Sequence, residues 1–180
     1  MIIGVCGKKR SGKSTAMKIL SQELGYEIIS FSDKLKDIVV TLSGCKREDL
    51  EDYDFKENQL VPDYLNKFCG NDKTTYRSFM QHFGTEIMRN ISDTIWIDST
   101  LKNAPKNFIT ECRFINEANT IRKSGGIIIK IETLADIIDN HQSETELELI
   151  TPNITICNLF TSFDFEDKIK TIAKAIKSMN

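Results

Sequence analysis

Short apolar stretches rich in isoleucine recur along the chain and alternate with segments that have helical periodicity. We predict strands over residues 2–6, 26–31, 107–112, 125–131 and 153–157. Continuous apolar runs of this length, rich in β-branched residues, are typical of strands that are buried on both faces. Because helical segments separate these strands, the pattern predicts a three-layer α/β fold, with a parallel sheet of about five strands between two layers of helices.

The helical segments carry apolar residues three and four positions apart. Gly25 follows residues 14–24 as a stop signal, and one face of that segment carries Ala16, Ile19, Leu20 and Leu24. We predict further helices over 33–42, 74–90, 93–102, 116–123 and a closing segment that includes 165–176. Residues 45–71 are polar and interrupted by Pro62 and Gly70, so they predict no particular element.

The helical stretch between the second and third predicted strands contains no strand of its own. We therefore predict a single domain over 1–180, with a core of about 1–32 and 104–180 and an inserted helical lobe of about 33–103. In open parallel sheets, ligands bind beyond the carboxyl ends of the strands. We expect the lobe to be inserted at that end of the sheet.

The composition argues against some classes of binding partner. The chain has 180 residues, 40% of them hydrophobic and 28% charged, with a formal net charge of −2. This balance argues against a general nucleic-acid binder, and no apolar run approaches the ~18 residues of a membrane span. The start "MIIGVCG" has no secretory leader, and five scattered cysteines without a CxxC pair fit a reducing compartment. We therefore expect a cytoplasmic protein that binds a small molecule, not nucleic acid or a membrane.

The stretch "GKKRSGKS" satisfies the phosphate-loop pattern GxxxxGK[ST], with a predicted strand before it and a predicted helix after it. Glycines let backbone N–H groups approach phosphate oxygens, and a helix N-terminus favours negative charge. We predict that Lys13 reaches the β- and γ-phosphates of ATP and that Ser14 holds Mg²⁺. A glycine turn with solvated lysines would leave these two positions unexplained. The predicted ATP-binding residues of the loop are Gly7, Lys8, Lys9, Arg10, Ser11, Gly12, Lys13, Ser14 and Thr15.

Carboxylates follow two of the predicted strands. Asp33 comes after the second strand, and Glu111 ends the third, where an acidic residue could hold a metal-bound water near the phosphate loop. We predict Glu111 as a metal-site residue together with Ser14. The chain has no NKxD guanine signature, which argues against a GTPase.

Basic residues lie in the predicted lobe and after the third strand. Arg77, Gln81 and Thr85 are four residues apart and share a helix face, which Arg89 extends. Arg113 follows the carboxyl end of the third strand. Arginine has a planar fork that suits bidentate phosphate contacts, so a converging set predicts a site for a phosphate-bearing acceptor. Each arginine taken alone is also compatible with a surface salt bridge.

Several stretches in order, "GKKRSGKST", "SFSDKLKD", "RSFMQHFGTEIMRNISDTIWID", "FITECRFINEA", "DNHQSE" and "ICN", resemble the phage-type deoxynucleoside monophosphate kinases. These are relatives of adenylate kinase in the P-loop superfamily. The resemblance implies a P-loop kinase fold and transfer of the γ-phosphoryl group of ATP, with Mg²⁺, to a deoxynucleoside 5′-monophosphate. It implies Lys13, Arg113 and Asp33 as catalytic residues.

The resemblance also implies roles for single residues. Asn158 matches an asparagine near the ATP base, and Arg113 matches an arginine between the phosphates of the two nucleotides. A short lid is implied over about 133–152, where His141 and Glu144 match a motif. The positions that match acceptor-binding residues are Lys36, Arg77, Gly84, Trp96 and Asp98.

Simpler interpretations of these positions stay open. Trp96 fits a plain core residue, Gly84 a helix kink, Asp98 a solvated helix residue and His141 a turn residue.

The sequence departs from the family pattern at several positions. Glu111 stands where the family usually has Asp, and Glu132 and Thr133 stand where it often has Arg. No Lys or Arg lies between Glu132 and Asp167, so lid arginines like those of adenylate kinases are missing. We predict that Lys13, Arg113 and the lobe arginines supply that charge.

Two other functions stay open at this stage. One is a P-loop kinase for another phosphorylated acceptor, similar to phosphomevalonate or dephospho-coenzyme A kinases. The other is a module that binds ATP without turnover. The accepted bases and the formation of a homodimer are also open. The bias towards Ile, Lys and Asn is typical of an AT-rich genome; for a viral protein the compartment would be the host cytoplasm.

Overall fold

The structure is a computed structural model that describes residues 1–70, 72–133, 146–159 and 162–179. Contacts between Cα atoms divide the chain into two compact units. We call Met1–Phe31 with Asn103–Asn180 the sheet unit, and Ser32–Lys102 the helical unit. His141 and Glu144, with most of the predicted lid over 133–152, lie outside the described residues.

Five parallel strands form the sheet, in the order β2-β3-β1-β4-β5. They span Ile2–Cys6 (β1), Glu27–Ile28 (β2), Phe108–Glu111 (β3), Ile127–Thr133 (β4) and Ile154–Asn158 (β5). The prediction of a parallel sheet of about five strands is confirmed. The predicted extent of the second strand, 26–31, is wrong. This edge strand pairs on one side only, and after the bond from Ile29 N to Ile109 O the chain turns at Phe31 and Ser32.

Nine α-helices are described. They span Lys13–Leu24 (α1), Asp33–Ser43 (α2), Tyr53–Asn58 (α3), Asp63–Cys69 (α4), Tyr76–Gln81 (α5), Arg89–Ile91 (α6), Ile95–Leu101 (α7), Ile115–Lys123 (α8) and Ser162–Lys177 (α9). Short 3₁₀ helices lie at Glu48–Leu50 and Glu146–Leu149, and a π-helix lies at His82–Met88. In the described part of the chain, no helix combines the length and apolar character needed to cross a bilayer.

The alternation of side chains along β1 shows how the helices cover the sheet. Ile3 and Val5 are fully buried in a cluster with residues of α1 and α9, including Leu20 and Ile169. A Cβ on Gly4, between them, would lie 2.7 Å from Ile121 Cδ1 of α8. Successive residues of a strand point to opposite faces, so α1 and α9 cover one face and α8 covers the other. Burial of an isoleucine such as Ile3 or Ile169 stabilises the sheet unit by roughly 1.5–3 kcal/mol.

The helical unit differs from the predicted pattern in two places. No element was predicted for residues 45–71, and the described part of that stretch, residues 45–70, contains a 3₁₀ turn and two short helices. The single helix predicted over 74–90 is wrong, because the chain forms α5, then the π-helix, then α6. Gly84 lies within the π-helix, and its carbonyl accepts a hydrogen bond from Trp96 Nε1 at 2.9 Å. A Cβ on Gly84 would lie 2.7 Å from Leu35 Cδ2, so a larger residue at this position would require the Leu35 side chain of α2 to move.

Candidate functional site

The loop after β1 has a backbone that glycine makes possible. Gly7 has φ 149° and Gly12 has φ 103°, both in the region that other residues rarely adopt. A Cβ on Gly7 would clash with the carbonyl oxygen of Ile131, and one on Gly12 would lie 2.6 Å from Asn158 Nδ2. The loop ends at Lys13, where α1 begins without a side-chain cap. The first N–H groups of a helix have no intrahelical partner, which suits them to an anion.

Lys13 is buried beneath this loop. Its Nζ donates to the carbonyl oxygens of Gly7 at 2.7 Å and Lys8 at 2.8 Å. It also lies 3.5 Å from Glu111 Oε1 at the end of β3. An ammonium has three donors, so an arriving phosphate oxygen must replace one of these acceptors.

Glu111 joins Lys13 to Arg113. Arg113 Nη2 donates to Glu111 Oε1 at 2.9 Å, the same oxygen that faces Lys13. Burial would raise the pKa of Glu111, but the Arg113 and Lys13 charges and hydrogen bonds outweigh it and lower the pKa to about 2. β1 and β3 are neighbours, and Val5 is in register with Glu111. Three predicted site residues, Lys13, Glu111 and Arg113, therefore meet at the carboxyl ends of adjacent strands.

Glu117, to which the sequence analysis gave no role, holds the main chain at this point. Its Oε2 accepts from Arg113 N at 2.8 Å and from Phe114 N at 3.2 Å, and its side chain is buried. A glutamate three residues after the N-cap is a recognised helix-start signal. The N-cap here is Phe114, which lacks the hydroxyl or carboxylate of that signal, so only half of the pattern that would have identified Glu117 is present in the sequence.

Asn158 forms a hydrogen bond to the backbone of the phosphate loop. Its buried side chain donates from Nδ2 to the carbonyl oxygen of Ser11 at 2.9 Å. This places Asn158 at the loop backbone. The prediction that it lies near the ATP base stays a prediction.

Ser14 and Thr15 are exposed in the first turn of α1. One hydroxyl and one carboxylate, Ser14 and Glu111, are hard oxygen donors that fit a Mg²⁺ ion whose other ligands are water and phosphate. On the loop, Lys8 Nζ lies 3.3 Å from Glu148 Oε1, Lys9 is partly exposed and Arg10 is exposed with φ 63°.

In the helical unit, Asp33 and Lys36 start α2. Lys36 Nζ lies 2.9 Å from both carboxylate oxygens of Glu51 and 3.9 Å from Asp33 Oδ1. Arg47 Nη2 donates to Asp33 Oδ1 at 2.8 Å. Asp33, predicted as catalytic, is thus an ion-pair partner of two cations within this unit. The predicted set did not include Arg47 or Glu51, because both lie in the polar segment that lacked a periodic signal.

The predicted arginine row begins in α5 and continues along the π-helix. Arg77 Nε lies 3.3 Å from Glu57 Oε1, and Arg89 Nη1 donates to the carbonyl oxygen of Asp93 at 3.1 Å. Gln81 is partly exposed and Thr85 is buried.

Trp96 and Asp98 have clear local contacts in α7. Trp96 is buried and binds the Gly84 carbonyl, which agrees with a core residue. Asp98 Oδ2 accepts from Thr94 Oγ1 at 2.7 Å in an exposed position. These contacts account for both residues locally, and a role in acceptor binding stays a prediction.

Comparisons with known proteins identify the family of this chain. A family model described as deoxynucleotide monophosphate kinase matches residues 39–169. A protein of Acanthamoeba polyphaga mimivirus, which bears a provisional name as a deoxynucleotide monophosphate kinase, is 30% identical over 199 aligned positions that cover 100% of both chains. The resemblance derived from the sequence motifs is confirmed.

One of the similar solved structures supports the fold, and a second is similar at a lower TM-score. A shikimate kinase from Acinetobacter baumannii superposes with a TM-score of 0.50 at 14% identity, over 99% of this chain and 94% of the other. A dephospho-CoA kinase from Campylobacter jejuni gives a TM-score of 0.47 at 18% identity, over 97% and 96% of the two chains.

Proposed function

We propose that this chain, which belongs to the deoxynucleotide monophosphate kinase family, transfers the γ-phosphoryl group of ATP to a deoxynucleoside 5′-monophosphate. Family membership makes it a nucleotide kinase. The choice of ATP as donor and of a deoxynucleoside monophosphate as acceptor is our proposal. The observation that carries it is the meeting of Lys13, Glu111 and Arg113 beside a glycine-built loop.

The sheet unit supplies the residues that we propose bind the phosphate donor. The triphosphate would lie along residues 7–15, with the Lys13 ammonium moving from the Gly7 and Lys8 carbonyls to phosphate oxygens. Ser14 and Glu111 would hold Mg²⁺, which neutralises phosphate charge when bound. Asn158 and Glu117 keep the loop and the Arg113 backbone in place.

Charge stabilisation and positioning account for most of the proposed catalysis. Phosphoryl transfer spreads negative charge over the moving group, and fixed cations lower the energy of that state. Lys13 and Arg113 are the cations of the sheet unit closest to Glu111. The acceptor phosphate is already ionised near neutral pH, so the reaction needs no strong general base.

The helical unit supplies the residues that we propose bind the acceptor. Lys36, Arg77 and Arg89 would bind the monophosphate, while Gln81, Gly84, Thr85, Trp96 and Asp98 would surround the nucleoside. These residues lie in one compact unit that is rich in ion pairs, which supports the proposal.

The test is turnover with dGMP, dTMP, dCMP and dAMP in the presence of ATP and Mg²⁺, with the diphosphate product measured directly. We expect product with at least one acceptor, and a loss of at least ~10³-fold in kcat for Lys13→Ala. Lys18→Ala, an exposed lysine later on α1, is the control and should retain activity. Absence of diphosphate with every acceptor would reject the proposal.

A further inference from the structure

Two cations and three carboxylates form a compact cluster in the helical unit. Lys36 and Arg47 supply the positive charges, and Asp33, Asp37 and Glu51 supply the negative ones. Lys36 is nearly buried, with 12% of its side chain exposed, whereas 56% of the Glu51 side chain is exposed. The cluster therefore combines a buried cation with an accessible anion.

The carboxylates belong to two different elements. Asp33 and Asp37 lie on α2, and they bind Arg47 through Nη2 at 2.8 Å and Nε at 3.5 Å. Glu51 lies just after the one-turn 3₁₀ helix Glu48–Leu50. Leu50 of that segment is fully buried, whereas the Glu51 side chain is exposed, so Glu51 can leave the cations by rotation of its side chain while the segment stays in place. If Glu51 moved away, Asp33 and Asp37 would still hold the Arg47 guanidinium.

Glu51 is bound in the way that these cations would bind a phosphate. Both of its oxygens accept from Lys36 Nζ at 2.9 Å, and Oε1 also contacts Arg47 Nη1. Burial would raise the pKa of Glu51, but the hydrogen bonds from Lys36 and Arg47 outweigh it and lower the pKa. A guanidinium and an ammonium that converge on one anion suit phosphate as well as carboxylate.

We propose that Lys36 and Arg47 form a phosphate-ester site in the helical unit, and that the Glu51 carboxylate occupies this site until a phosphate ester displaces it. The identification of that ester as the acceptor monophosphate rests on the proposed function. Glu51 then acts as an internal competitor that keeps the two cations paired when no acceptor is bound. A phosphate dianion carries more charge than a carboxylate and offers a further oxygen, so it can replace Glu51 on the same donors.

The competing interpretation is that Glu51 simply joins the 3₁₀ turn to α2. The two interpretations predict opposite effects of removing its charge. An internal competitor weakens phosphate binding, so its neutralisation tightens binding. A structural link orders the site, so its neutralisation loosens binding.

The test is equilibrium binding of dGMP, dTMP and inorganic phosphate to the full chain without ATP, by calorimetry. We expect Glu51→Gln to bind a monophosphate or inorganic phosphate about fivefold or more tightly than the wild type, as for the loss of its two competing ion pairs with Lys36 and Arg47. Glu48→Gln, which removes the same charge from the exposed face of the same turn, should stay within about twofold. In a Lys36→Met background, Glu51→Gln should give no gain.

Unchanged or weaker binding by Glu51→Gln, or an equal gain for Glu48→Gln, would overturn the proposal. Thermal melts verify that each variant is folded, and Glu51→Asp, one methylene shorter, provides a second variant with an intermediate expected gain. Because these measurements contain no ATP, they are separate from turnover. A wild type that forms no diphosphate rejects the proposed function, while the Glu51→Gln result alone decides the role of Glu51.

Discussion

The phosphate loop of the sheet unit and the ion-pair cluster of the helical unit both contain cations that we propose to bind phosphate, but they are built in different ways. The loop depends on its main chain, since Gly7 and Gly12 adopt positive φ angles and Lys13 folds onto two backbone carbonyls. The cluster depends on long side chains that span from α2 to Arg47 and Glu51. The proposed phosphate loop is thus contained in eight consecutive residues, whereas the proposed phosphate-ester site combines residues of two elements within 33–51.

The two regions should also differ in how they respond to amino-acid substitutions. A main-chain clash cannot be relieved by rotating a side chain, so an added atom in the loop must shift the backbone. Exposed ion pairs contribute roughly 0.2–1 kcal/mol each, and their partners can move apart at little cost. We therefore expect the loop to tolerate less change than the cluster.

We expect the largest effect from Gly7→Ala, which tests whether the main chain of the phosphate loop tolerates an added atom. The new Cβ would clash with the Ile131 carbonyl at a φ of 149°, and we expect a loss of roughly 3 kcal/mol or more in the free energy of unfolding, together with lost ATP binding. The control is Gly25→Ala at the end of α1, where φ is 70° and no atom lies within 4 Å. It should cost about 1–2 kcal/mol. Urea denaturation and nucleotide titration measure the effects of both substitutions. Equal losses in the free energy of unfolding would show that the main chain of the loop does not restrict which residues it accepts.

A smaller effect is expected from the acid titration of Glu111. Its pKa is about 2 in the folded chain against an ordinary value of 4.5, so the unfolded chain binds more protons in between. The stabilisation is present above pH ~5 and is lost as the pH falls towards 2, by about 3 kcal/mol in all. Unfolding free energies between pH 7 and 2 should fall less steeply for Glu111→Gln than for the wild type.

Glu27→Gln is the control for that titration, since Glu27 is an exposed carboxyl on β2. It should keep the steep pH dependence of the wild type. If Glu111→Gln and the wild type had parallel pH profiles, the ion pairs of Lys13 and Arg113 with Glu111 would not stabilise the folded state.

The sheet and the phosphate loop could be predicted because their signals are local. Ile2–Cys6 and Ile127–Thr133 are short apolar runs, and the loop motif lies between a strand and a helix. The end of β2 could not be predicted, because the apolar residues of 26–31 continue past the point where pairing with β3 stops. Pairing between strands depends on tertiary contacts, and the residue types of an edge strand do not indicate where that pairing ends.

The helical unit was harder to predict for a related reason. Apolar residues three and four apart over 74–90 fit an α-helix, but a π-helix forms where Gly84 packs on Leu35 and its carbonyl binds Trp96. Trp96 lies twelve residues after Gly84, so a short stretch of sequence around Gly84 does not include its partner in this contact. Arg47 and Glu51 were missed because a polar segment without periodicity does not indicate which side chains will meet.

The smallest expected effect concerns this contact between α7 and the π-helix. Trp96→Phe removes the donor to the Gly84 carbonyl and leaves a buried acceptor without that partner, so we expect a loss of about 2–3 kcal/mol in the free energy of unfolding. Tyr64→Phe is the matched control, since it removes an exposed bond from the Tyr64 hydroxyl to the Leu42 carbonyl. It should cost less than about 1 kcal/mol, because water can replace the lost donor. Urea denaturation followed by circular dichroism measures both, and equal costs would mean that the buried bond does not hold the π-helix. A large difference would show that the helical unit, like the phosphate loop, depends on a main-chain group held in one position.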